Sequence, residues 1–291
     1  MDAAPEAFLR LGFVRRFKQV LILAFGVMRA PPDRVILGTF AVAVFLVHYS
    51  ARLLDPTEGG VLSSLHAAEV FGFAAMFFAV RDMGDRSSLR YLDLLLVAIA
   101  ALALLRPWRS SGVLAFTLVG AGLLCRKDRN FAGFALLCLG LAWIDLWGQM
   151  VLRLIAPWLL PFETLLSFHL LSPFGAFSRM GTVISGAAGH SIAVYPGCSA
   201  FSNTLTATFI WLCLIQLAET TLHRWHLFAL GAALACIVAI NVARIGMMAY
   251  SEDAYIFWHL GGGATFISIA MLSCVVGFFL LAQLKLSGSR K

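Results

Sequence analysis

The sequence predicts an all-α fold: a polytopic membrane helix bundle of about eight transmembrane helices, with an outer interfacial or re-entrant segment. Of its 291 residues, 60% are hydrophobic and only 13% charged, and the mean hydropathy is +0.88. Soluble domains carry about 25% charged residues, so this chain lacks the polar groups to cover a water-facing surface. The formal charge of +7 sits in short clusters between long apolar runs. That is the pattern of orientation signals in a membrane protein and not of a nucleic-acid-binding face.

Residues 1–34 read as a cytoplasmic amphipathic segment. Leu9, Phe13, Phe17, Val20, Leu21 and Ala24 recur at helical spacing with basic residues between them, as in a helix lying on a membrane face. A cleaved signal peptide is not expected. The apolar stretch Val20 to Met28 is short, and Met28-Arg29-Ala30 is a poor cleavage site.

A spanning helix needs about 20 mostly apolar residues. Eight stretches within a single transmembrane domain, residues 35–285, approach that requirement. They centre on Val35–Leu53, Val61–Val80, Tyr91–Leu105, Gly112–Cys125, Phe131–Arg153, Ser199–Ala218, Leu227–Tyr250 and Gly263–Lys285. Residues 286–291 form a cytoplasmic tail. Sixteen of the 22 Lys and Arg fall on one alternating side of this layout, which places both termini in the cytoplasm of a cell membrane. The stretch Phe162–Ala187 contains Glu163, His169, Pro173 and Arg179, and spans poorly. It reads as an interfacial or re-entrant part of a long outer loop, about 157–197.

That topology separates Cys198 from the other five cysteines. Cys125, Cys138, Cys213, Cys236 and Cys274 lie in spans or at the inner end of one, where cysteine packs as a small apolar residue. Cys198 follows Pro196-Gly197 at the outer start of the sixth span, with no other cysteine on that face to pair with. A helix N-terminus there would set unpaired N–H groups and a partial positive charge beside its sulfur. Arg244 lies toward the outer end of the seventh span. An arginine in a membrane segment costs about 2.5–3.5 kcal/mol at mid-bilayer and is a functional candidate by default; the bland alternative is that it snorkels to the surface. Asn241 sits one turn below on the same helical face. His259 lies where the chain re-enters the membrane. A thiol, a guanidinium and an imidazole thus gather on one face from three consecutive helices. Together they suit acyl transfer, in which a thiolate attacks a carbonyl, an imidazole moves protons and a guanidinium stabilises the oxyanion.

At these residues the sequence resembles the exosortase/archaeosortase family of membrane-embedded cysteine transpeptidases. The matching pieces are Gly197-Cys198-Ser199, Asn241-Val242-Ala243-Arg244-Ile245, and Trp258-His259 followed by glycines. The chain departs from the family pattern at Ala200, where glycine is usual, and has no acidic residue just before the cysteine. The resemblance implies a sorting enzyme with Cys198 as nucleophile, His259 as general acid/base and Arg244 as oxyanion stabiliser. Its partners would be exported proteins bearing a C-terminal motif, a membrane helix and a basic tail, together with an acceptor of unknown identity; no cofactor is implied.

Three other readings stand beside it. A transporter or channel would use buried polar groups such as Glu69, Asp93, Asp145 and Asn241, but matching halves and paired helix breaks are missing from the sequence. A metal site would need His or Cys at ligand spacing, and His-Glu-x-x-His is absent. Another membrane acyltransferase using Cys198 would share the first chemical step. Asp145, in the outer half of the fifth span, would orient Arg244 or His259, or pair with another buried polar group.

Overall fold

The computed structural model describes residues 32–53, 67–83, 88–105, 110–126, 128–186, 189–218, 220 and 222–288. The expected amphipathic N-terminal helix lies almost wholly outside the described residues, as does half of the tail. Those described are mostly helical and divide into two compact units, one within Met1–Asp145 with Leu212–Thr221, the other within Leu146–Trp211 with Leu222–Lys291.

The first unit holds α1 (Pro32–Leu53), α2 (Ala67–Arg81), α3 (Tyr91–Leu104), α4 (Ser111–Cys125) and α5 (Arg129–Ala142). Apolar rings fill the space between helices. Phe40 and Phe73 both approach Phe116, each with centroids 6.0 Å away. α4 and α5 come close at Gly120, where an added Cβ would lie 2.9 Å from the Leu139 side chain, the small-residue packing expected of apolar helices. The ends of these helices are fixed by charge. Asp93 accepts from the Arg90 amide at 2.7 Å and from Arg126 at 2.8 Å, and Asp128 caps α5 through the Asn130 amide.

The second unit carries α6 (Gly148–Leu171), which follows a π-helical turn at Trp143–Trp147, and then a three-stranded antiparallel sheet. Its strands are β1 (Ser178–Met180), β2 (Val183–Ser185) and β3 (Ser191–Ala193), in that order, with Arg179 opposite Ile184 and Ile184 opposite Ile192. Gly181 turns the first hairpin at φ 61°, a left-handed conformation that favours glycine. Most of α7 (Ala200–Leu217) follows, then α8 (Arg224–Tyr250), α9 (Glu252–His259) and α10 (Gly262–Gly288). Leu160 of α6, Ile184 and Ile192 of the sheet, and Ile245, Met248 and Ala249 of α8 make one buried cluster. The sheet is thereby seated against the end of α8 that carries the candidate residues.

Among the described residues, four apolar helical stretches are long enough to cross a membrane: Arg129–Phe174, Ala200–Leu217, Arg224–Tyr250 and Gly262–Ser287. α3 and α4 are apolar but shorter, with 14 and 15 residues. The expected irregular outer loop is different in kind. Helix continues past Arg153 to Leu171, through Pro157 and Pro161, and residues beyond it pair as strands. Proline removes a helical hydrogen bond, yet the helix runs through both positions. The Arg179 side chain donates to the Pro161 carbonyl at 3.2 Å, tying β1 to α6.

Candidate active site

Cys198 ends a single 3₁₀ turn, Pro196–Cys198. Its amide donates to the Tyr195 carbonyl at 2.8 Å, and the Ser199 amide to Pro196 at 3.2 Å. The thiol is free and half-buried, and packs against the cluster of the sheet and α8. Ser199 is extended and caps α7, its Oγ accepting from the Phe201 amide at 3.1 Å. The same hydroxyl donates to Glu163 Oε1 of α6 at 2.8 Å.

The cysteine is also held from the other side. Asn241, 1% exposed on α8, donates from Nδ2 to the Cys198 carbonyl at 2.8 Å. Its Oδ1 accepts from Asn203 of α7 at 3.2 Å, so both ends of the amide are used.

Arg244 lies one turn further along α8. Its Nε donates to the Trp258 carbonyl at 3.1 Å, and an Nη lies 3.5 Å from His259 Nδ1. A guanidinium can only donate, so Nδ1 is the acceptor of that pair. Among the described residues no carboxylate pairs with Arg244. His259 closes α9 and stacks on Tyr255, with centroids 4.9 Å apart and planes at 27°. Burial, and next the positive charge of Arg244, hold its pKa below the ordinary histidine value. The neutral imidazole is therefore favoured.

Arg244 and His259 thus meet directly, and Asn241 ties the Cys198 backbone to the helix of Arg244. The Cys198 sulfur itself makes no hydrogen bond to Arg244 or His259. The hydrogen bonds of Arg244 and His259 go to Trp258 and to each other. Asp145 lies in the π-turn at the end of the first unit. Asp93, a candidate for a transport path, is committed to its ion pair with Arg126.

No family model, curated protein or solved structure matches the chain.

Sequence reasoning missed Glu163, Ser199, Asn203 and Trp258. Ser199 carried a local signal, a hydroxyl residue immediately before an apolar helix. Trp258 contributes a backbone carbonyl, which no side-chain pattern announces. The glycines after His259 serve close packing: a Cβ on Gly263 would lie 2.6 Å from the Trp258 ring.

Proposed function

We propose that this protein is a membrane-embedded cysteine peptidase or transpeptidase of the exosortase type. It would sit in the cell membrane as about eight spans with both termini cytoplasmic and the Cys198 site at the outer face. The observation that carries the reading is the pairing of Arg244 with His259, with no carboxylate among the described residues beside it, on the helix that anchors the Cys198 turn. An arginine in an apolar helix is costly, and one whose partners among the described residues are a carbonyl and an imidazole keeps its charge for a substrate.

In the reaction the thiol proton passes to neutral His259 and Sγ bonds to the carbonyl carbon of a peptide. The electron pair moves onto oxygen, where Arg244 stabilises it. Transfer to Nδ1 requires Arg244 to release the ring, which is what turning toward an oxyanion accomplishes. The intermediate collapses, the C–N bond breaks, and the imidazolium gives its proton to the leaving amine. Cys198 then holds the exported part as a thioester. Water or an acceptor amine attacks next and passes a proton to His259; the C–S bond breaks, and the imidazolium returns a proton to the thiolate.

Substrates would be exported proteins with a C-terminal motif, a membrane helix and a basic tail. The test is a mass-spectrometric search for exported protein in thioester linkage to Cys198, with the Cys198→Ala variant as control. Adducts present on the parent protein and absent from the variant are expected. No adduct under conditions where substrate is being cleaved would refute the reading.

A further inference from the structure

Glu163 is a carboxylate 8% exposed in the apolar helix α6. Such a group is expensive to bury unless its partners are arranged for it. Those it has come from one short segment: Ser199 Oγ donates to Oε1 at 2.8 Å, and the Ala200 and Phe201 amides face the same carboxylate. The second oxygen has no hydrogen bond of good geometry. These partners are the residues immediately after Cys198 and include the first amides of α7, which have no acceptor within their own helix. The favourable placement of an anion at a helix N-terminus is here coupled to the backbone that carries the sulfur.

We propose that Glu163 is a positioning residue for Cys198, clamping the Cys198–Phe201 segment to α6 while Asn241 clamps the Cys198 carbonyl to α8. This rests on the reading of Cys198 as nucleophile. Two helices then fix the origin of the thiol from opposite sides of its α-carbon. The clamp has a second consequence. Because Ser199 Oγ occupies the Phe201 amide, α7 does not offer that amide to a substrate oxyanion, and Arg244 is left for that task. Displacing a reacting group by about 1 Å costs on the order of 100-fold in rate.

The experiment uses full-length protein in which only Cys198 and Cys213 are kept. Cys213 is wholly buried on α7, so its silence toward iodoacetamide reports that the helix remains folded. Glu163→Leu and Ser199→Ala are each expected to speed Cys198 alkylation about five- to tenfold, the worth of one hydrogen bond, with Cys213 unreactive. The double variant should be no faster than the faster single one, because both changes remove the same contact. Processing of exported protein in cells should fall about 10- to 100-fold in the same variants. Ser199→Ala leaves α6 untouched and so tests the clamp without altering a buried charge. Alkylation within twofold of the parent in both single variants would overturn the proposal. Alkylation does not depend on catalysis. Normal processing by Cys198→Ala would therefore remove the nucleophile, while the alkylation rates would still measure the Glu163 contact independently.

Discussion

Asn241 donates from its side chain to the backbone carbonyl of Cys198 at 2.8 Å, joining positions 43 residues apart in the chain. Asn241→Asp keeps the shape but turns the donor into an acceptor, and Asn241→Ala removes it. Either change leaves a buried polar group unpaired, at about 1–3 kcal/mol, and frees the nucleophile turn. Both variants are expected to insert normally and to process substrate about 10- to 100-fold more slowly, measured per inserted molecule. Full activity in Asn241→Asp would show that this bond is dispensable.

Arg244 is expected to act through its charge and its planar fork of donors. Losing one oxyanion donor costs about 100- to 1000-fold in rate, so Arg244→Gln should insert but accumulate uncut substrate. Arg244→Lys should recover little, because a point-charge ammonium cannot hold the Trp258 carbonyl and an oxyanion together. Near-normal processing by Arg244→Gln counts decisively against the assignment.

His259 gives a pH signature. Burial is the larger cause of its lowered pKa and the charge of Arg244 the smaller. The neutral base therefore persists below the ordinary histidine value of 6.5, and the acid limb of the pH–rate profile should lie below that pH. Stability follows the same sign. The unfolded chain binds the proton more readily, so this contribution is complete above about 6.5 and is lost as pH falls through the folded-state value. Tyr255→Ala opens the stacked face of the ring and should move the limb upward. An acid limb at or above pH 6.5 in the parent protein would contradict the assigned environment.

Topology is open to labelling. Ser185 lies in β2, on the sheet seated by the candidate site, and Ser287 near the end of α10. With both termini cytoplasmic, a cysteine at Ser185 should react with a membrane-impermeant reagent in intact cells, and one at Ser287 should not. Robust labelling at Ser287 would invert the orientation.

The helices and the Arg244–His259 meeting were legible in the sequence because apolar runs and isolated charges within them are strong signals. Glu163 was legible only as an obstacle to spanning, since its partner Ser199 lies 36 positions away and no periodicity links them. The prolines of α6 suggest an irregular loop because each removes a helical hydrogen bond, yet the helix runs through both. Strands of three residues are too short to show alternation. The Trp258 carbonyl that holds Arg244 carries no such signal, since carbonyls are present at every residue and mark none.

The measurement that bears most directly on the central claim is processing by cysteine variants. Cys198 is held on its carbonyl side by Asn241 and on its following residue by Glu163, whereas Cys138 and Cys213 are wholly buried packing residues. Serine is a poor substitute for a thiol nucleophile because its hydroxyl needs far stronger activation. Cys198→Ala and Cys198→Ser are both expected to abolish processing and leave uncut substrate in the membrane, while replacement of the other five cysteines together is tolerated. Retained processing by Cys198→Ala, at normal protein level, would contradict the account.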